Sequence, residues 1–201
     1  ETKFLASISV LENKDLKIKQ NQRLRFHIGP NEIIGRINIV ESRNIKSGES
    51  KICFINLEKP VTIAFMDKFL IRSFSPILTL GGGQILDLNI SGKWKEIKKY
   101  AINLDKRKNL KDRIIYIIEN QKNYPFTISK IQKRLGKSIK EITAYIQDKH
   151  NYSIIKYLSF EWILTNNQIL ESKRNIISTI EEFHRQNSYS RGILKNVILQ
   201  K

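Results

Sequence analysis

Along the first half of the chain, apolar and polar positions alternate with the period of two that marks a half-buried strand. Over residues 3–10, Phe4, Ala6, Ile8 and Val10 fall on one face, and Lys3, Ser7 and Ser9, together with Leu5, on the other. Asn13-Lys14-Asp15 makes a turn. Residues 22–28 alternate again, with Leu24, Phe26 and Ile28 inward and Arg23, Arg25 and His27 outward. Gly29-Pro30-Asn31 turns the chain, Ile33 to Val40 resumes as strand with Gly35 at a bulge, and Ser47-Gly48-Glu49 turns it into the apolar run Lys51 to Leu57. Pro60 confines the next strand to a start or an edge. Phe69 and Ile71 alternate ahead of Arg72-Ser73-Phe74-Ser75-Pro76, and Ile85-Leu86 follow Gly81-Gly82-Gly83. About six short strands separated by turn signals read as a small antiparallel barrel. The three glycines permit positive φ and close backbone approach, which predicts a strand-to-strand corner. A phosphate cradle would need a lysine and a hydroxyl directly after them, and Gln84-Ile85 stand there instead.

The pattern changes after residue 90. Between residues 91 and 108 apolar periodicity fades while Lys93, Lys95, Lys98, Lys99, Lys106, Arg107 and Lys108 accumulate, so this stretch reads as a basic linker with one helical turn near residues 94–100. Asn109 caps a helix over about residues 110–121, striped by Leu110, Ile114, Ile117 and Ile118, and Pro125 breaks the chain. Thr127 caps a short helix (Ile128, Ile131, Leu135) that Gly136 ends. Ser138 and Glu141 form a capping box for a third helix over Ile139, Ile142, Tyr145 and Ile146. Tyr152 to Leu158 and Phe160 to Leu164 then read as a hairpin turning near Ser159. Three helices and a hairpin give the winged-helix order, with Gly136-Lys137 as the short link of a helix-turn-helix. A periodic helix from Asn167 to Gln186 and a shorter one over residues 194–200 follow.

The expected fold class is therefore mixed β and α. A six-stranded antiparallel barrel spans 1–90, a basic linker 91–108, a winged helix 109–166, and an incomplete second winged helix begins over 167–201.

Charge sharpens this picture. The 201 residues carry 36 basic and 19 acidic side chains, net +17, which favours a polyanionic partner. Residues 1–90 hold 13 basic and 9 acidic, residues 91–201 hold 23 and 10, so the field belongs mainly to the second half. An AT-rich coding sequence, giving Lys, Ile and Asn together, accounts for the same composition. Cys53, the single cysteine, sits between Ile52 and Phe54 and is expected to be a buried thiol. His27, His150 and His184 lack ligand spacing, so no metal site is expected. With no apolar run near 18 residues and no signal peptide, the chain reads as soluble and cytoplasmic. It opens at Glu1 inside a strand pattern and reads as part of a longer protein.

Arg72, Ser75-Pro76, Thr79 and Gly81-Gly82-Gly83 resemble the closing hairpin of the third domain of a translational GTPase, and most closely that of the selenocysteine-specific elongation factors. Arg25-Phe26-His27-Ile28-Gly29, Gly35-Arg36-Ile37 and Asp67-Lys68-Phe69-Leu70-Ile71-Arg72 extend the resemblance over about residues 1–90. Related elongation factors lack the Ser-Pro and the triple glycine. Phe183-His184-Arg185-Gln186-Asn187, then Gly192, resembles the start of that family's second winged helix.

The resemblance implies a binding module for selenocysteyl-tRNA, with the ribosome and an mRNA hairpin or ribosomal RNA as further partners. It implies a monomer with no membrane partner, and no cofactor of its own, since GTP and Mg²⁺ belong to a GTPase domain that these residues do not contain. No Walker loop, switch motif, nucleophile elbow or convergent carboxylate pair is present, so the chain by itself is not expected to be an enzyme. The loops at residues 29–32 and 72–76 are implied to touch the tRNA backbone. Arg25, His27, Gly29, Asn31, Arg72, Ser73, Phe74 and Ser75 are its candidate residues. Arg72 could meet a phosphate or pair with Glu32 or Asp67, Ser73 and Ser75 could donate hydroxyls, and Phe74 could pack on a ribose. Lys130, Lys133, Arg134, Lys137 and Lys140, with Lys156 on the wing, form the second RNA candidate, or a solvated charged face. The rival class is a winged-helix DNA-binding transcription regulator reading an operator through residues 139–150, where Lys140, Thr143, Gln147 and Lys149 lie.

Overall fold

The alternating segments close on themselves. In a computed structural model describing residues 1–13, 16–88, 90, 92–107, 109–120, 126–147 and 151–199, six strands form a closed antiparallel barrel in the order β1-β6-β4-β3-β7-β8, with β8 returning to β1. These are β1 (Lys3–Val10), β3 (Arg23–Ile28), β4 (Asn31–Ile39), β6 (Ser50–Leu57), β7 (Lys68–Ser73) and β8 (Thr79–Leu88). A two-stranded ribbon of β2 (Lys17–Lys19) and β5 (Asn44–Lys46) stands beside it. The inward residues read from the sequence fill the interior, Phe4, Ala6, Ile8, Leu24, Phe26, Cys53 and Ile71 being fully buried, and Ile37 and Ile55 join them. Burial pushes the Cys53 thiol well up, leaving it neutral. Phe69 stands at the centre, edge-to-face with Phe4 and tilted against Phe26, each pair 5.9 Å between centroids.

The glycine run corrects one expectation. Gly81, Gly82 and Gly83 lie inside β8 rather than at a corner, and none of them has positive φ. Close approach is what selects them. A Cβ on Gly81 would stand 2.0 Å from the Ser9 carbonyl oxygen, and one on Gly83 would enter the Phe69 ring at 2.6 Å. The bulge expected at Gly35 is not there, since β4 pairs with β3 and β6 in unbroken register across it; where β7 pairs with β8, a register shift falls between Ile71 and Arg72 instead.

The basic stretch after the barrel is no bare linker. α1 (Trp94–Asp105) is a full helix, and its buried Ile97, Ala101 and Leu104 pack on outward-facing barrel residues such as Leu5, Ile52 and Leu86. The lysines between those positions hid the stripe, and Leu5, on the polar face of β1, is buried in the apolar cluster that α1 shares with the outside of the barrel. α2 (Leu110–Glu119) starts at the Asn109 cap and buries Ile114 through Ile118. A short strand that sequence reading missed, β9 (Phe126–Thr127), precedes α3 (Ile128–Leu135), whose Thr127 cap and left-handed Gly136 are as expected. α4 (Ile139–Gln147) carries the expected capping box: Glu141 Oε2 accepts from the Ser138 amide at 2.9 Å, and the Glu141 amide donates to Ser138 Oγ at 3.3 Å. Hairpin strands β10 (Tyr152–Tyr157) and β11 (Phe160–Thr165) join β9 in a three-stranded sheet ordered β10-β11-β9. α5 (Asn166–Gln186) and α6 (Lys195–Leu199) complete the described chain. No helix among the described residues is long and apolar enough to cross a membrane.

Barrel and helical region are joined by Asp87, whose carboxylate is fully buried. Its Oδ1 accepts from Arg134 Nε at 2.7 Å and the Leu88 amide at 2.8 Å; its Oδ2 accepts from Arg134 Nη2 and Tyr100 Oη, both at 2.6 Å. Strand β8 and helices α1 and α3 therefore meet on one carboxylate.

Gly81→Ala is expected to lower unfolding stability by about 3 kcal/mol or more, because the obstructing atom is backbone and cannot turn aside. Urea unfolding followed by far-UV circular dichroism measures it, and a change within about 0.5 kcal/mol would contradict the close-approach account.

Candidate nucleic-acid interface

Pairing register turns the outward side chains of β3 into a basic face. Arg25 stands directly opposite Arg72 on β7, Arg23 opposite Arg36 on β4, and His27 opposite Glu32. Like charges opposed across a ladder repel, and two carboxylates offset that repulsion. Glu58 takes a two-pronged contact from Arg23, Nε to Oε1 at 2.7 Å and Nη2 to Oε2 at 2.9 Å. Glu32 Oε1 accepts from Arg25 Nη1 at 2.5 Å, and His27 Nε2 lies 3.5 Å from Glu32 Oε2. The Arg25 hydrogen bond chiefly, then the charges of Arg25, His27 and Arg72, hold the Glu32 carboxyl below its ordinary range. The Arg23 hydrogen bond does the same for Glu58.

The guanidinium carbons of Arg23 and Arg25 each lie 4.9 Å from the centroid of the Phe74 ring, which keeps 39% of its surface exposed. The loop carrying it is fixed by Ser73. That hydroxyl accepts from the Leu78 amide at 2.9 Å and donates to the Pro76 carbonyl, across a cis Ser75–Pro76 peptide. Ser73 is thus a structural hydroxyl rather than a free donor, which corrects its expected role. Ser75 is exposed, Gly29 has φ +55 in the β3–β4 turn, and the exposed Asn31 opens β4. Of the residues read from the sequence, Arg25, His27, Arg72 and Phe74 converge on one face. Arg23 and Arg36 belong there too. Alternation had already placed Arg23 outward; Arg36 needed the register.

The helical candidates do not gather in the same way. Arg134 is committed to Asp87 with a side chain only 15% exposed, so it is corrected from an RNA contact to an internal one. Burial alone would lower its pKa, but the Asp87 charge and hydrogen bonds raise it. Lys137 pairs with Glu141 at 3.1 Å and Lys156 with Glu161 at 3.2 Å. Lys130 and Lys133 are exposed three residues apart on α3, and Lys140 is exposed in the first turn of α4. Thr143 donates its hydroxyl to the Ile139 carbonyl at 2.9 Å, while the Gln147 side chain and Lys149 lie outside the described residues.

The chain is thus a closed six-stranded antiparallel barrel with an arginine-lined outer face, continued by a helical region. Residues 5–91 match the family model for the β-barrel domain of the selenocysteine-specific elongation factor. It is similar to the selenocysteine-specific elongation factor of Haemophilus influenzae, 20% identical over 94% of this chain and 30% of the relative. It is also similar to that of Desulfomicrobium baculatum, 26% identical over 40% of this chain and 13% of the relative. A crystal structure of a bacterial selenocysteine-specific elongation factor superimposes over 98% of this chain and 29% of its own, with a TM-score of 0.65 at 16% identity, and so shares the fold. The chain spans less than a third of the length of these proteins.

Arg134→Met should cost about 3–5 kcal/mol by stranding a buried carboxylate, whereas Lys133→Met on the same helix should stay within about 0.5 kcal/mol. Equal effects in chemical denaturation would contradict the distinction. Glu141 generates a pH prediction. Hydrogen bonds from the Ser138 amide and hydroxyl, then from Lys137, depress its pKa to about 2. A depressed folded-state pKa gives stability that is complete above the unfolded-state value and lost as pH falls through the folded one. A side-chain NMR titration should place the Glu141 midpoint near 2 in the native protein, and Ser138→Ala should move it up toward the ordinary glutamate value of about 4.3.

Proposed function

We propose that this chain is the RNA-holding and coupling part of a selenocysteine-specific elongation factor. The barrel holds selenocysteyl-tRNA through its arginine face, and the helical region, read as a winged helix over residues 109–166 and the opening of a second over 167–201, extends toward mRNA or ribosomal RNA. GTP hydrolysis belongs to another domain of such a factor, and its influence would arrive here allosterically.

The observation that carries this reading is the convergence of Arg23, Arg25, Arg72 and Phe74 on one face of a barrel whose residues 5–91 match the family. Planar guanidiniums suit the phosphate backbone, and the carboxylates now held by Arg23 and Arg25 are what incoming phosphates would replace. Such contacts orient a folded RNA without reading its sequence. The transcription-regulator reading gains nothing from α4, where Thr143 is turned onto its own helix.

Fluorescence anisotropy with selenocysteine tRNA, an elongator tRNA and a DNA duplex, at two salt concentrations, tests this. Tighter binding to tRNA than to DNA is expected, falling with salt. Arg72→Ala should weaken it about 5- to 20-fold at unchanged stability, the loss of one charge-assisted contact. A preference for duplex DNA that Arg72→Ala leaves unaltered would overturn the proposal.

A further inference from the structure

We infer that the β10–β11 hairpin presents a stacking platform for the unpaired bases of single-stranded RNA. This rests on the proposal that the helical region faces RNA, and adds a base-contacting subsite to the backbone-contacting barrel. Register sets Ile155 opposite Trp162 and Tyr157 opposite Phe160, so these four side chains share one face of the hairpin. Phe160 and the half-buried Trp162 meet edge-to-face at 6.1 Å. Tyr157 is 62% exposed, Phe160 52%, Ile155 43%, and Leu158 at the turn 81%. An apolar surface this open marks a binding face.

Charge and ring chemistry select the occupant. The hairpin's only charged side chains, Lys156 and Glu161, pair with each other on its opposite face, so the platform itself is neutral. It stands in the half of the chain with 23 basic and 10 acidic side chains, whose field draws in a polyanion. A polyanion that also offers flat apolar groups is a single-stranded nucleic acid: its phosphates answer the field and its bases stack on Tyr157, Phe160 and Trp162. Duplex RNA keeps its bases within its own stack and presents none to such a surface. Recognition should be tolerant of sequence, because every base has a π-face.

The test uses the full chain with a fluorescein-labelled oligouridylate of about 12 nucleotides, and an RNA duplex of equal length. Tyr157→Leu and Phe160→Leu keep apolar area but remove a ring. Each should weaken oligouridylate binding roughly 5- to 100-fold, while Tyr157→Phe binds as the parent. In a Trp94→Phe background, oligouridylate should quench the remaining Trp162 fluorescence. Both positions are exposed, so thermal unfolding should be unchanged in every variant. Leucine variants that bind like the parent, or a preference for the duplex, would overturn the inference. So would self-association of the chain that the leucine variants abolish while oligouridylate binding stays intact, since the face would then belong to a protein contact. Loss of tRNA binding in Arg72→Ala with oligouridylate binding preserved bears on the barrel alone, and a failed platform leaves the barrel reading standing.

Discussion

The structure depends on one buried carboxylate. Asp87 is the penultimate residue of the strand that closes the barrel, and it accepts hydrogen bonds from its own backbone neighbour, from Tyr100 on α1 and from two nitrogens of Arg134 on α3. Behind it Tyr100 stacks on Tyr116 of α2 at 5.2 Å, and the Arg107 guanidinium lies 3.7 Å from the far ring's centroid. A buried ion pair is not by itself a source of stability, since desolvation opposes the attraction. What it supplies here is position. Each donor has one place to go, and a shifted α3 would leave a bare charge inside. Apolar contacts between α1 and the outer face of β1, β6 and β8 contribute area, but area alone tolerates sliding.

The exposed face of the barrel follows the opposite logic. Arg23, Arg25, Arg36 and Arg72 are brought together by strand register, at the cost of mutual repulsion, and Glu32 and Glu58 hold that repulsion in check with hydrogen bonds rather than burial. The arrangement stays poised for exchange: an exposed ion pair is worth little, so phosphate can displace it. Phe74 adds a cation–π contact to two of the guanidiniums. Rigid joint and exchangeable face are complementary parts of the module proposed to hold one RNA while orienting a second contact surface.

Much of this was legible in the sequence, for identifiable reasons. Strict alternation gave the inward residues of β1 and β3, and local capping chemistry at Asn109, Thr127, Gly136 and Ser138 gave the helix boundaries. The failures share a cause: long-range partners. Gly81 and Gly83 read as a corner that allows close approach, and lie within a strand instead, because the Ser9 carbonyl and the Phe69 ring that exclude a side chain are distant in sequence. α1 read as a linker because its three buried residues only matter once Leu5 and Leu86 lie beneath them. Arg134 looked like its lysine neighbours, and nothing local announces that its partner is 47 residues away. The short β9 had no periodicity to show.

The central claim is that the Asp87 contact fixes the helical region on the barrel. Cys53 is buried and escapes labelling, so spin labels at Glu41→Cys on the barrel and Lys140→Cys on α4 report the distance between the two parts by pulsed electron resonance. The account predicts one narrow distance distribution in the parent, and a broadened or multiple distribution when Asp87→Asn is added to a chain that still folds. A broad distribution in the parent, or an Asp87→Asn distribution as narrow as the parent's, would contradict it.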